Sequence, residues 1–461
     1  MSGRWRLATF GLARSLALAG AMCMMAACGS GNSSSASTNS ASAAGAGGNS
    51  IASPAPNVAA LTINKGPNFL FTSVTICAPG TSTCATIPDV LVDTGSYGLR
   101  ILASPQNATG TAVSNLGLAH VVASNNLPVL ECTTFLDNSS VWGPVERADV
   151  SIAGETASSI PIQIIGDPSF FNDVPGDCGD GNPTDNENSF QALKMNGILG
   201  IGLFIEDCGS ACVAPNQPVP GVYYACAPGG AGTCLGYLNN DPRNTTNVPL
   251  ADQVVNPVPF FAQDNNGTII ELPAISSGGA ATVNGALVFG IGTEANNGLG
   301  SATVQPTVPA GAGSSGNLAG TFTTQFGGQS FPNSFIDSGS NGLYFLNSSR
   351  IATITGGDPL PTCTPSGAFA NDAAIVNFYC GTFSSSATNL GTNGASTTVQ
   401  IGVANAENQF LTGHQAFDNI AGPNMDSFDF GMPFFYGRNV YTAIQGVTPP
   451  NGVPAGPFWA Y

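Results

Sequence analysis

Two aspartates in this chain sit in nearly the same phrase. The run Val90-Leu91-Val92-Asp93-Thr94-Gly95-Ser96-Tyr97-Gly98-Leu99 returns 244 positions later as Ser334-Phe335-Ile336-Asp337-Ser338-Gly339-Ser340-Asn341-Gly342-Leu343. In both copies an apolar, β-prone run ends on an aspartate, then a small hydroxyl residue, glycine and serine follow. Each acid therefore belongs at a strand end that turns sharply. A carboxylate there is costly to desolvate unless hydrogen bonds or a second carboxyl sharing its proton relieve it, so the duplication implies that the two acids meet. Such a pair does acid and base chemistry. Asp93 and Asp337 are the candidate pair, with Thr94, Gly95, Ser96, Ser338, Gly339 and Ser340 shaping the two turns; the alternative is two ordinary Asp-containing turns.

The elements that must hold these turns are strands. The 461 residues are 43% apolar and only 8% charged, enough for two ordinary domains with large cores. With 59 Gly and 33 Pro among short apolar runs, turns and strands are favoured over helices, and an all-β architecture is expected. The halves run from 58 to 260 and from 272 to 461, joined by a segment richer in Pro and Asn around Asn256 to Pro273. They echo each other beyond the turns. Gly197-Ile198-Leu199-Gly200 follows the first acid, and Phe428-Asp429-Phe430-Gly431 follows the second at a similar interval.

Residues 1–27 have the form of a secretory signal: Arg4, Arg6 and Arg14, an apolar stretch too short to span a membrane, then Met25-Ala26-Ala27-Cys28. The small residues before Cys28 resemble the bacterial lipoprotein box, which implies lipidation of Cys28, although Met25 is a less usual residue at its position; an ordinary signal with an incidental cysteine is the alternative. Residues 28–57 are rich in Gly, Ser, Ala and Asn and read as a tether reaching roughly 30 Å. The expectation is an exported, cell-envelope protein, lipid-anchored to a membrane, the bacterial outer membrane by preference. Without residues 1–27 the charge falls to about −20. Such a surface repels nucleic acid, so no nucleic-acid partner is expected.

Ten cysteines remain after Cys23 and Cys28, an even number that argues for disulfides in an exported chain. Pairing Cys77 with Cys84, Cys226 with Cys234 and Cys363 with Cys380 would close short loops, but spacing leaves the connectivity open. Cys208 and Cys212 are loosely spaced like metal ligands, yet no histidine lies near them, so no metal or other cofactor is expected.

Taken together, these residues resemble the pepsin-like aspartic peptidases. The resemblance implies a two-lobed fold with a central cleft, each lobe giving one aspartate from an Asp-Thr/Ser-Gly turn, and an endopeptidase acting on peptide or protein through a water between Asp93 and Asp337. Thr94 and Ser338 would bond across to the opposite lobe, and Ser96 and Ser340 would bond the outer carboxylate oxygens. Gly285 to Gly290 resembles the strand opening the second lobe, and Gly431 to Ile444 the closing glycine, aromatic cluster and last strand.

Three departures stand out. Val141-Trp142-Gly143-Pro144 takes the place of a Tyr-Gly flap, and Arg100 stands where the family often has Trp. The exchange predicts that Arg100 stacks on Trp142 and positions the flap; a core Trp142 beside a solvated Arg100 is the alternative. Asp429 occupies an apolar position beneath the second turn. A Cys-rich excursion from Asp207 to Asn247 has no readable role. With two histidines, no nucleophile elbow, no phosphate loop and no dinucleotide fingerprint, serine-hydrolase and nucleotide-binding classes are set aside. The rival is a surface lipoprotein that kept the cleft, lost turnover and binds peptide or protein. Oligomeric state is not readable.

Overall fold

The computed structural model describes residues 51–171, 174–178, 186–213, 222–229, 234, 237–238, 241–242, 244–311, 318–424 and 426–461. Cys28, the signal-like segment and most of the tether lie outside the described residues, as does part of the Cys-rich excursion.

The described chain is mostly β-strand. Its first half contains β1 (Val58–Ile63), β2 (Phe71–Cys77), β3 (Cys84–Asp93), β4 (Tyr97–Leu102), β5 (Val129–Thr134), β6 (Ser140–Ile152), β7 (Glu155–Ile165) and β8 (Gly197–Ile201). The segment expected to join the halves contains a strand of its own, β9 (Gly267–Leu272), followed by β10 (Val283–Phe289). The second half continues with β11 (Phe322–Phe326), β12 (Gln329–Ile336), β13 (Leu343–Phe345), β14 (Phe383–Leu390), β15 (Ser396–Val403), β16 (Asp429–Phe430), β17 (Arg438–Ala443) and β18 (Phe458–Ala460). Helices are short; the longest described is Ser348–Thr355, capped by the Asn347 side chain and ended by left-handed Gly356.

Pairing closes the first half on itself in the order β2-β3-β8-β4-β7-β6 and back to β2, a six-stranded barrel. The second half forms the sheet β15-β14-β11-β12-β16-β13, extended by Ala421–Pro423. Between them β1 pairs with β10, β10 with β9, β9 with β17 and β17 with β18, so strands from both halves share one sheet.

The pattern that positions the acids is the same in both halves. β8 lies parallel to β3 and antiparallel to β4, with Leu199 opposite Val92 and Leu99. β16 lies parallel to β12 and antiparallel to β13, with Phe430 opposite Ile336 and Leu343. Each turn bearing an aspartate thus leaves one strand, and a later strand is threaded between it and its successor. β8 and the last four residues of β3 are buried on both faces, which is why they read as a continuous apolar run, whereas β12 alternates buried and exposed residues until it reaches the acid.

One buried side chain ties the halves together near the second turn. Asn68 donates from Nδ2 to the carbonyls of Asn341 and Phe417, both at 2.8 Å, and its Oδ1 accepts from the Phe417 amide and the Tyr436 hydroxyl. All four of its hydrogen-bonding positions are used, as burial requires.

Five disulfides join Cys77–Cys84, Cys132–Cys178, Cys208–Cys212, Cys226–Cys234 and Cys363–Cys380. The three short loops expected from spacing are among them. Cys208 and Cys212 bond to each other.

Candidate functional site

Each acid ends a buried strand, and the turn that follows wraps its carboxyl in donors. Asp93 Oδ1 accepts from the amides of Gly95 at 2.8 Å and Ser96 at 3.2 Å, while Oδ2 accepts from Ser96 Oγ at 2.5 Å. Asp337 repeats the scheme: Oδ1 accepts from the Gly339 amide at 2.7 Å and Oδ2 from Ser340 Oγ at 3.0 Å. Glycine makes this possible on both sides. A Cβ on Gly95 would lie 2.5 and 2.6 Å from the two Asp337 carboxylate oxygens, and one on Gly339 would lie 2.7 Å from Asp93 Oδ1. Each half's carboxyl is therefore packed over the other half's glycine.

The residues after the aspartates lock this arrangement. The Ser338 amide donates to Thr94 Oγ1 at 3.0 Å and the Thr94 amide donates to Ser338 Oγ at 3.1 Å. The two hydroxyls then donate onward to opposite strands, Thr94 Oγ1 to the Ile336 carbonyl at 3.3 Å and Ser338 Oγ to the Val92 carbonyl at 2.7 Å. The structure thus brings Asp93, Thr94, Gly95, Ser96, Asp337, Ser338, Gly339 and Ser340 to one place, all nearly inaccessible.

The two carboxyls are close neighbours: a Cβ on Gly339 would lie 2.7 Å from Asp93 Oδ1 and 3.1 Å from Asp337 Oδ1. Burial first, then the charges of Asp93 and Asp429, push the Asp337 carboxyl well above the ordinary range, so it holds a proton where a free carboxyl has lost it. Two acids this close titrate as a unit, the behaviour for which pepsin is a standard illustration. Asp337 is the acid that holds its proton, and the Asp93 carboxyl faces three donors from its own turn. The pair can give a proton to one atom and take one from another in the same step.

Tyr97, which spacing alone did not single out, belongs to this site. It opens β4, stacks edge-on against Phe204 at 5.2 Å, and burial with the charges of both aspartates raises its phenol well above the ordinary value. It stays neutral and able to donate. Its place in the repeated phrase, where the second copy has Asn341, was the available signal. Shallow hollows of about 320 Å³ elsewhere, such as the one lined by Gln325, Gln329 and Thr388, do not touch the acids.

The expected contact between Arg100 and Trp142 is corrected. Trp142 is fully buried, its Nε1 donates to the Phe170 carbonyl at 3.1 Å, and its ring meets Tyr224 edge-on. It stands opposite Cys132 across the β5–β6 pair, whereas Arg100 bonds Glu131 and Thr133. Side chains alternate along a strand, so those partners lie on the other face of β5. Gly143 is a buried strand residue as well, because a Cβ there would overlap the Ile164 carbonyl. These residues form a packed strand and not a free flap tip.

Nor is Arg100 a solvated charge. It is 2% exposed and bonds Glu131 Oε1 at 2.6 Å, Asp207 Oδ2 at 3.2 Å and the Tyr97 carbonyl at 2.7 Å. Burial alone would lower the guanidinium, but the charges of Glu131 and Asp207 outweigh it. Burial and the charge of Glu131 raise Asp207, whose Oδ1 accepts from the Tyr223 hydroxyl at 2.6 Å. The network joins β4, immediately after the first acid turn, to β5 and to the start of the Cys-rich excursion. Its partners are 31 and 107 positions from Arg100, beyond any local pattern.

Fold and site define an all-β protein with a reciprocally locked pair of buried aspartates. No curated protein matches the chain. The chain belongs to the family described as Protein of unknown function (DUF3443), whose profile matches residues 53–461.

Proposed function

We propose that this chain is an aspartic endopeptidase with a two-lobed, pepsin-like arrangement, in which Asp93 and Asp337 face a bound water in a central cleft. The observation that carries the reading is the reciprocal seating of each carboxyl over the other turn's glycine, with the Thr94 and Ser338 hydroxyls crossing between halves. Asp93 takes a proton from the water as its oxygen attacks the scissile carbonyl carbon, and Asp337 gives its proton to the carbonyl oxygen. A neutral tetrahedral diol forms, no covalent enzyme intermediate is needed, and proton return through the pair expels the amine.

The threaded strands β8 and β16 and the sheet shared by both halves support the two-lobed reading. The five disulfides suit an exported protein, and anchoring through a lipidated Cys28 is part of the same proposal.

A second reading, a binding protein of the same fold without turnover, draws on the β5–β6 hairpin. Tyr223–Ala225 pairs along β5, the Cys132–Cys178 disulfide staples it, and Asn188 Oδ1 accepts from the Trp142 amide on β6 at 2.7 Å. A hairpin so braced closes on a substrate less freely. Digestion of a peptide library from pH 3 to 7, with product mapping and a statine-type inhibitor, separates the two. Inhibitable cleavage supports the peptidase; inhibitor binding without cleavage at any pH supports the binding protein.

A further inference from the structure

The two acid turns are equivalent in sequence but not in what lies beneath them. Matching Phe430 to Leu199 through their shared register puts Asp429 at the position of Ile198. Ile198 is fully buried in an apolar cluster with Leu91 and Phe71. Asp429 is equally buried, at 1% exposure, so the second half places a carboxyl where the first places a hydrocarbon.

That carboxyl reaches the acid pair through one hydroxyl. Ser340 Oγ lies 2.7 Å from Asp429 Oδ2 and 3.0 Å from Asp337 Oδ2. A serine hydroxyl has a single proton and can donate to only one of them. The other contact is a hydrogen bond only if that carboxyl is itself protonated and donates to the serine oxygen. With both contacts made as hydrogen bonds, one of the two carboxyls carries a proton, so Ser340 ties a third acid, Asp429, into the proton network of Asp337 and Asp93. The first half has no counterpart, since Ser96 sees only Asp93 and the hydrocarbon of Ile198 lies beneath.

We propose that Asp429 is a third acid of this site, a positioning residue that acts through the Ser340 hydroxyl to keep Asp337 protonated toward neutral pH. The proton step balances within the chain: Asp429 gives its proton to Ser340 Oγ, Ser340 gives its own to Asp337 Oδ2, and the Asp429 carboxylate and neutral Asp337 result. Other titratable groups around it are Asp337 from the turn after β12 and Tyr344 opposite it on β13, while Asp93 and Tyr97 from the first half lie beside Asp337. The Tyr344 hydroxyl donates to Asn341 Oδ1 at 2.7 Å. Among the charges raising the Asp337 carboxyl, Asp429 follows Asp93.

The role in catalysis rests on the peptidase reading; the proton count does not, and the test separates them. Cleavage rates from pH 3 to 8 are compared for the parent protein, Asp429→Asn, Asp429→Ile, Asp429→Glu and Ser340→Ala. The basic limb should move toward acid by about one pH unit or more in the Asn, Ile and Ala variants and return in part with Glu. An unmoved basic limb in folded Asp429→Asn and Asp429→Ile overturns the inference and leaves the peptidase reading standing. Infrared absorption of protonated carboxyl groups from pH 4 to 8 needs no turnover. The parent should retain the band to higher pH than Asp429→Asn or Asp429→Ile, and identical titrations overturn the inference. A parent inactive at every pH sinks the peptidase reading while the infrared comparison still decides the proton count.

Discussion

Thr94 and Ser338 exchange a pair of hydrogen bonds, each amide donating to the other's hydroxyl, 3.1 Å in one direction and 3.0 Å in the other. Because each hydroxyl also donates to the opposite strand, the two acid turns behave as one rigid unit. Thr94→Val keeps the side-chain shape and removes the hydroxyl, leaving the buried Ser338 amide unsatisfied. A loss of about 2 kcal/mol is expected in urea unfolding, with Thr94→Ser retaining most of the stability. Equal midpoints for Thr94→Val and the parent would show that the crossing bonds hold nothing together.

Gly95→Ala tests the close approach of the carboxyls. Its Cβ would press on both Asp337 oxygens at 2.5 and 2.6 Å, so the pair must part while the surrounding sheets remain. Cleavage should fall on the order of a hundredfold, the cost of small misplacement at reacting groups, with an unchanged far-ultraviolet circular dichroism spectrum. Full activity in this variant contradicts the geometry.

Arg100→Met should destabilise the fold by about 3–5 kcal/mol, since it leaves the buried Glu131 carboxylate without its cation and removes a donor from Asp207. Adding Glu131→Gln and Asp207→Asn to the same chain should restore part of that loss. Additive effects of the three changes in a denaturation series would mean that the groups are not coupled.

Stability should decline as pH rises from about 4 to 8. Asp337 and Asp207 are raised in the folded chain, so each holds a proton that the unfolded chain has released. Their contribution is complete below the ordinary carboxylate value and disappears as pH rises through the shifted one. His120, raised chiefly by its hydrogen bond to Glu146, acts in the same direction, its contribution disappearing as pH rises through its shifted value. Glu131 is lowered and opposes them at acid pH. The slope is at most about 1.4 kcal/mol per pH unit for each proton. Urea midpoints across this range check the sign, and Asp337→Asn should flatten the decline.

The acid turns were legible because their signal is local: an apolar run, an aspartate and a glycine, written twice. So were the strand-rich character and the short disulfide loops. What depended on long-range register was not. Arg100 looks like a surface charge until Glu131 and Asp207 are brought to it by strand pairing. Trp142 looks like a flap residue until the alternation of β5 and β6 turns it inward against Tyr224. Asp429 was visible as a misfit, but its meaning required the pairing of β16 with β12 and β13 and the position of Ser340. The segment expected to link the halves is built around β9, because its Ile269 and Ile270 are core residues of the shared sheet.

The central claim is that one proton and one water are handled by two particular carboxyls. Its most direct test is the initial rate of peptide cleavage at pH 4 by the parent protein, Asp93→Asn and Asp337→Asn, with folding verified by thermal unfolding. Each substitution should lower the rate by at least about a thousandfold, as loss of a general acid or base does. Cleavage that persists within tenfold of the parent in either folded variant would contradict the account.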